Sequence, residues 1–322
     1  MKTTVIIPNY NGCDYLKPCL DSLLSCKSMD FHVLVVDNGS TDGSVELLKK
    51  EYPQVEAVFL EENTGFAPAV NVGLHKTKTP YALLLNNDTT VETDFVKKME
   101  EALEKKDTIF SVSAKMVSMQ EPQLLDGAGD LYCALGWAFA LGKGKTVKDH
   151  YTKEAKIFSA CGGAAIYRMD VMEKIGFFDD NHFAYLEDVD VGYRGMLLGY
   201  ENRYTPDAVC YHAGSGFSGS RYNAFKVTLS SRNSTYIIIK NMPILQQIIN
   251  LPFFMIGFGV KWLFFIKKGF GFLYLKGLMK GIAMGYSKMG RKRKLPFQVS
   301  RLKNYGKIQW KLWSNIFRRI VG

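Results

Sequence analysis

Thr4-Val-Ile-Ile-Pro8, closed by Asn9-Tyr-Asn-Gly12, and Val33-Leu-Val-Val-Asp37, closed by Asn38-Gly-Ser-Thr-Asp-Gly43, decide the fold class of this chain. Each joins a short β-branched run to a polar, glycine-bearing turn. Val55 to Phe59, Ala82 to Leu85 and Ile109 to Val112 repeat the habit. These runs are mostly continuous in apolar residues, as strands covered on both faces should be. Between them lie helical spacings: Leu16, Leu20, Leu23 and Leu24 at i, i+4, i+7 and i+8, and later Phe66, Ala69, Val70, Gly73 and Leu74. The alternation predicts an α/β fold, a mostly parallel sheet with flanking helices, through about residue 117.

Ligands of such sheets gather beyond the carboxyl ends of the strands. The turns expected there are Pro8-Asn-Tyr-Asn-Gly12, Asp37-Asn-Gly-Ser-Thr-Asp-Gly43, Asn63-Thr-Gly-Phe66 and Asn86-Asn-Asp88. Any one of them is ordinary turn chemistry, but four on one rim point to a binding site. Residues 118 to 157 carry glycines and no sustained period, and read as loops and short strands. A strand or bulge is expected within Phe158 to Tyr167, a helix from Asp170 to Lys174, and another helix marked by Val189, Tyr193, Met196, Leu197 and Tyr200.

The chain has 322 residues, 47% of them apolar and 22% charged, enough for a full-sized core. Its charge is divided. Through Ser220 there are 21 basic and 31 acidic residues, net −10; from Arg221 onward there are 20 basic and none acidic, net +20. The six cysteines show no CxxC spacing, which argues against a zinc site and a disulfide scaffold and fits a reducing compartment. The start MKTTVIIPNY turns polar too soon for a signal peptide, so the cytosol is the expected location.

Two literal motif matches fail. Gly214-Ser-Gly-Phe-Ser-Gly219 has the glycines of a dinucleotide fingerprint, yet no acid follows Asp207 to hold a ribose. Gly142-Lys-Gly-Lys-Thr146 ends like a P-loop, but Phe139 stands where its first glycine belongs.

Asn86-Asn87-Asp88 offers hard oxygen ligands for Mg²⁺ or Mn²⁺, and an Asx turn accounts for it equally. Glu187-Asp188-Val-Asp190 puts acids at a helix start, where they cap the helix or supply a general base. His212, after the strand-like Ala208 to Tyr211, can complete a metal shell with Asp88 or be structural. Tyr10 and Phe66 can stack on a base or merely pack, and Asp37 can accept a hydrogen bond from the ring N–H of uracil or thymine.

VIIPNYNG, VLVVDNGSTDGS, ENTGFAPAVNVGL, LLLNNDT, CGGAAIYR, IGFFDD and YLEDVDVGYR, in this order, resemble glycosyltransferase family 2 with a GT-A fold, most similar to bacterial rhamnosyltransferase-like members. The resemblance covers about residues 3 to 220. It implies inverting transfer of a sugar from a nucleoside diphosphate donor, dTDP-rhamnose or a UDP-sugar, to a cell-surface polysaccharide or lipid-linked glycan. Carried over by position, Pro8, Asn9, Tyr10, Asn11 and Asp37 match the nucleoside pocket, with Asn38 and Ser40 on the ribose and phosphate side. Gly65, Phe66 and Asn71 match the loop and helix that close over the nucleotide. Asn86, Asn87 and Asp88 stand where the family has its DxD, Asp88 being the metal-binding member, and Asn86 replaces the first aspartate. Asp188 matches the catalytic base, with Glu187 the next candidate, and His212 matches a metal-ligating histidine of some members. Asp190 is expected to matter less than Asp188. Pro68 interrupts the usual small-residue run after Gly65-Phe-Ala67.

The reading divides the chain into a catalytic domain, 1–220, with a nucleotide-binding half 1–117 and an acceptor half 118–220, and a basic, aromatic-rich helical region, 221–322. Ile244 to Ile266 approaches the ~20 residues of a bilayer span but contains Gln246, Gln247, Asn250, Pro252 and Lys261. Gly269 to Lys280 and Trp310 to Arg319 interleave aromatic and basic residues as interfacial helices do. The tail is expected to lie on an anionic membrane, peripheral on its inner face, and a chain ending near Ser234 to be more soluble. Two rivals remain: a nucleic-acid-binding protein, suggested by Arg291-Lys-Arg-Lys294 but opposed by the acidic first 220 residues, and a sugar-1-phosphate nucleotidyltransferase, which needs a glycine-rich phosphate loop after the first strand.

Overall fold

The computed structural model describes residues 1–28, 30–214 and 222–321. The glycine-rich match at 214–219 therefore lies outside the described residues from 215 onward. The first part runs β1 (Thr3–Asn9), α1 (Cys13–Leu24), β2 (Phe31–Asp37), α2 (Ser44–Glu51), β3 (Glu56–Phe59), α3 (Phe66–Lys76), β4 (Tyr81–Leu85), β5 (Thr89–Val91), α4 (Phe95–Glu104) and β6 (Ile109–Ser118). Then come β7 (Leu125–Gly127), β8 (Asp130–Cys133), β9 (Trp137–Ala140), β10 (Ala155–Ile157), β11 (Ala164–Arg168), α5 (Met169–Ile175), α6 (Glu187–Leu197) and β12 (Glu201–His212). The chain closes with α7 (Ala224–Asn241), α8 (Ile244–Lys267), α9 (Gly271–Tyr286), α10 (Lys288–Arg291) and α11 (Leu302–Val321).

The five expected strands share one sheet, ordered β10-β12-β6-β11-β4-β1-β2-β3. β1 pairs in parallel with β2 and β4, and β2 with β3. The alternating reading stops there. β11 enters between β4 and β6, antiparallel to both, so the strand from Ile109 is not a direct neighbour of the first four. The insertion has a local cause. Cys161 to Ala164 form a tight turn, with the Ala164 N–H donating to the Cys161 carbonyl at 3.1 Å, and this starts β11 beside the end of β4. The Asn86 N–H donates to the Gly163 carbonyl at 2.9 Å, and a Cβ on Gly163 would press on the Asn86 amide at 3.2 Å. Glycine here lets two rims approach.

Side chains alternate between two buried layers. Ile6, Leu34 and Leu84 point to the layer containing α3 and Phe158, while Val5, Val35, Leu83 and Leu85 point to the layer containing α1 and α4. Pro68 causes no break in α3, because it falls in the first turn, where a backbone N–H has no intrahelical partner.

The described residues on the two sides of the change of charge pack together. The β8–β9 hairpin is gripped from both sides: the Trp137 indole donates to the Gly257 carbonyl at 3.0 Å, and Asn315 of α11 donates to the Tyr132 carbonyl at 2.9 Å. Tyr305, Ile308 and Leu312, the apolar stripe of α11, are buried against the body that carries the sheet, which leaves Trp310 and Phe317 exposed. Most large apolar side chains of α8 face outward, among them Ile248, Leu251, Met255, Ile256 and Leu263. α8 is long and apolar enough to cross a membrane by length and composition, the one such helix among the described residues.

A Cβ on Gly257 would sit 2.1 Å from the Leu135 carbonyl oxygen, whereas Gly259 meets nothing within 4 Å. Gly257→Ala should therefore lower stability by about 1–3 kcal/mol through overpacking, while Gly259→Ala should raise it slightly through helix propensity. Urea midpoints of the two variants in detergent check this, and equal midpoints would contradict the packing described.

Candidate active site

The rims of β1, β2 and β4 form a cross-linked polar shelf. Asp37 is 1% exposed and takes both hydrogen bonds inward: Asn9 Nδ2 donates to Oδ2 at 2.8 Å and the Ser40 N–H to Oδ1 at 2.9 Å. Ser40 Oγ accepts from the Asn11 N–H at 2.9 Å, and Asn11 Oδ1 accepts from the Thr41 N–H at 2.8 Å. Asn38 spans to the next turn, donating to Asn63 Oδ1 at 3.0 Å and accepting from the Thr64 N–H at 3.0 Å. Asn87 donates to Asn9 Oδ1 at 2.6 Å. A Cβ on Gly12 would lie 2.0 Å from that Asn87 nitrogen, so only glycine permits the joint.

Above this shelf lies a cleft of about 440 Å³, bounded by Pro8, Tyr10, Asn38, Phe66, Asn87 and Phe183. Asp37, Asn11 and Ser40 lie behind its wall and shape it. Asn71 is farther away: its amide donates to the Phe178 carbonyl at 2.9 Å and to Asp180 at 2.6 Å, tying α3 to the segment before α6. Asn86 and Asp88 mark the far end of the cleft, where a second chamber of about 780 Å³ begins.

Asp88 and His212 are brought together, with His212 Nε2 3.2 Å from Asp88 Oδ1. Behind the ring, His212 Nδ1 contacts Asp126 Oδ2 at 2.7 Å. Burial works against a charge on His212, yet the hydrogen bonds to Asp126 and Asp88 outweigh it and hold its pKa up at about 9. Apart from that contact with His212, Asp88 Oδ1 is buried with no hydrogen-bond partner among the described residues. A buried carboxylate oxygen, an imidazole nitrogen that can give up its proton to a cation, and a carboxylate behind the ring to orient it make a donor set that suits a divalent cation.

The acids at the start of α6 have three different fates. Asp188 faces Asp130, and their oxygens and Cys161 Sγ lie within 4.8 Å of one another. Burial and the Asp188 charge push the Asp130 pKa well up. Burial raises Asp188 as well, opposed by hydrogen bonds from Asp130 and from the backbone N–H groups of Val189 and Gly162. Glu187 is buried, and burial with the neighbouring Asp188 charge raises its pKa to about 8. Asp190, expected to matter less, is the centre of a buried ionic cluster. It receives Arg194 at 2.7 Å, Lys240 at 2.9 Å and Asn241 at 2.6 Å, and Lys240 also reaches Asp179 at 2.6 Å. His182 lies inside this cluster, where burial lowers its pKa to about 4 and keeps it neutral. Asp179, His182 and Asp190 are close enough for a metal, but the Lys240 ammonium already supplies the cation.

Helix α7 carries what the sequence reading missed. Phe183, Tyr185 and Leu186 hold left-handed backbone at φ 61°, 70° and 69°, conformations that side-chain-bearing residues adopt only under restraint. Asn233 Nδ2 is within hydrogen-bonding reach of the carbonyls of His182, Ala184 and Tyr185 at 3.0, 2.8 and 2.7 Å, and Arg232 donates to those of Asn181 and His182 at 2.7 Å. The available signal was a polar stripe, Asn233, Tyr236 and Lys240, at i, i+3 and i+7 across the apolar run 236–239. Asp126 and Asp130 were missed too. They frame Gly127 and Gly129 in the stretch 118–157 whose period is unreadable.

This fold finds its counterpart among known proteins. The model of Glycosyl transferase family 2 matches residues 4–176, and the chain belongs to that family. It is 36% identical over 99 residues to Glycosyltransferase GlyA of Streptococcus pneumoniae serotype 4, covering 30% of this chain and 14% of that protein. To Poly-beta-1,6-N-acetyl-D-glucosamine synthase of Staphylococcus aureus it is 24% identical over 210 residues, covering 65% of this chain and 49% of the synthase. The matches thus span half or less of these relatives' own lengths. Among solved structures it resembles Mannosyltransferase PcManGT from Pyrobaculum calidifontis in complex with GDP-Man and Mn²⁺, with TM-score 0.54 and 17% identity over 96% of this chain and 87% of that one. At that identity the likeness is one of fold.

Removing the Lys240 charge strands two buried carboxylates, so Lys240→Met should lower stability by about 3–5 kcal/mol, and Asp190→Asn should do comparable harm by stranding Arg194 and Lys240. The sign with pH follows. Asp179 and Asp190 are held below their ordinary 3.8, so their stabilisation is present above that value and is lost as pH falls through the folded values. Urea melts from pH 5 to pH 2 should show a steep acid loss in the native chain and a shallower one in Lys240→Met. Parallel pH profiles would contradict the assignment.

Proposed function

We propose that the chain transfers a sugar from a nucleoside diphosphate donor, dTDP-rhamnose or a UDP-sugar, to a hydroxyl of a cell-surface polysaccharide or lipid-linked glycan, with inversion at the anomeric carbon. The observation that carries this reading is the position of Asp88, a buried carboxylate beside the His212 imidazole where the 440 Å³ cleft and the 780 Å³ chamber meet. A nucleoside fits the cleft between Tyr10 and Phe66, its diphosphate reaches Asp88, and the sugar points into the chamber. PcManGT, similar in fold, is seen with GDP-Man and Mn²⁺.

Mg²⁺ or Mn²⁺ held by Asp88 and His212 would neutralise charge on the departing diphosphate. Asp126 keeps the His212 ring oriented. Asp188 accepts the proton of the acceptor hydroxyl as that oxygen attacks C1, held in place by Asp130 and by the backbone N–H groups of Val189 and Gly162. Asn233 and Arg232 fix the segment 181–185, whose residues Phe183 to Tyr185 form one wall of the donor cleft.

Residues 1–220 carry the transfer site in this reading, 1–117 the nucleotide half and 118–220 the acceptor half. Residues 221–322 bring the enzyme to the anionic inner face of the membrane, as a peripheral protein on its cytoplasmic side. The outward apolar residues of α8 and α9, with Lys276 and Lys280 among them, support that placement. Truncation near Ser234 is no longer a suitable test, because it removes the buried Lys240.

Asp188→Asn should reduce transfer about 10²–10⁴-fold while nucleoside diphosphate affinity stays within a few-fold. Near-native turnover would move the base to Glu187. Excess chelator, or Asp88→Asn, should weaken UDP or dTDP binding measured calorimetrically, and unchanged affinity would remove the metal from the reading. With anionic vesicles the intact protein should float at low salt and less so at high salt. Flotation that survives high salt and carbonate washing would instead mean that α8 spans the bilayer.

A further inference from the structure

The chamber beyond Asp88 has a composition that the donor does not explain. Its near side is the transfer site, at Asn86, Asp88 and His212; its far side is built by α7, α8, α9 and α11. Four cations line it, Lys143, Lys226, Lys261 and Arg319, against one acid, Asp88. Lys143 is matched by Asp126. Lys261 sits in the apolar stretch 251–266 of α8 with its ammonium 5.4 Å from the centre of the Trp137 ring, and Arg319 lies 5.4 Å from that of Phe139. Burial lowers the Lys261 pKa to about 8, the Arg319 charge works in the same direction, and no carboxylate is among the groups that bear on it. Apolar walls flank these cations, from Val260, Phe264, Phe265 and Tyr274. The far wall is held in place by the hydrogen bonds that tie α8 and α11 to the β8–β9 hairpin.

We propose that this chamber is the acceptor site for an anionic amphiphile, a phosphate- or diphosphate-bearing lipid whose headgroup meets Lys261 and Arg319 and whose chain follows the outward apolar face of α8. The inference rests on the transfer reading and names the class of its acceptor. Cations on aromatic faces keep their N–H donors available for a second partner, and phosphate oxygens accept such donors strongly. A neutral glycan gains nothing from two cations on an apolar wall. A soluble polyanion, in turn, has no use for that wall. The exposed apolar face of α8 begins at the chamber, since Val260 and Phe264 belong both to its lining and to the exposed side chains of the helix.

The test uses the full chain in detergent, first saturated with UDP and Mn²⁺ so that the diphosphate position at Asp88 is filled. UDP binding is measured on the same sample, so a failure of the donor reading shows separately. Farnesyl diphosphate, farnesol and inorganic pyrophosphate are then titrated. The expected result is that farnesyl diphosphate binds at least about tenfold tighter than either of the others, that Lys261→Gln weakens it about tenfold, that Lys261→Arg restores most of the loss, and that UDP affinity is the same in all three proteins. Equal binding of farnesol would overturn the headgroup site, and equal binding of pyrophosphate would overturn the amphiphile in favour of a free anion. Unchanged farnesyl diphosphate affinity in both Lys261→Gln and Arg319→Gln would overturn the chamber as the place where it binds.

Discussion

Two carboxylates and two cations, Asp179, Asp190, Arg194 and Lys240, meet in the interior with side chains almost wholly shut off from solvent. Such a cluster is tolerable only if complete, because each partner's burial is offset by the others and a missing member leaves a bare charge in a poorly polarisable medium. Completeness here requires α7 to lie against the start of α6. That one constraint brings Asn233 and Arg232 within reach of the segment before α6 and holds three side-chain-bearing residues in left-handed backbone. One wall of the 440 Å³ cleft is therefore held in place by a salt-bridge cluster outside it.

The same constraint changes the meaning of the charge asymmetry. A first part of net −10 and a tail of net +20 look like two separate chemistries. Part of the excess is mutual: Lys240 answers Asp179 and Asp190, and Arg293 reaches Asp180 at 2.8 Å. The remaining cations divide between the outer faces of the tail helices and the chamber beyond Asp88, where Lys261 has a ring for company instead of an acid.

Environment also sorts the carboxylates of the site. Asp88 sets one oxygen beside the His212 imidazole, Asp188 lies against Asp130, where burial raises both, and Asp190 is neutralised by ion pairs. Neighbouring acids are thus pushed to opposite protonation behaviour within one small volume. Sequence proximity is no guide to this, since Asp188 and Asp190 are two residues apart on one helix and serve opposite ends.

The sequence by itself determined the α/β alternation, the polar rims after β1, β2 and β4, the short-stranded character of 118–157, and the nearness of Asp88 to His212 through its family resemblance. These are local or periodic signals: β-branched runs, turn chemistry and motif order need no knowledge of what packs where. Only the tertiary structure decided that β11 enters antiparallel between β4 and β6, that Asp126 and Asp130 stand behind His212 and Asp188, and that α7 and α11 pack into the body whose charge they oppose. Those outcomes depend on contacts between residues 50 to 180 positions apart. A buried acid and its cation across such a distance leave no period or spacing in the chain, because their pairing is fixed by the shape of the interior and not by the residues beside them.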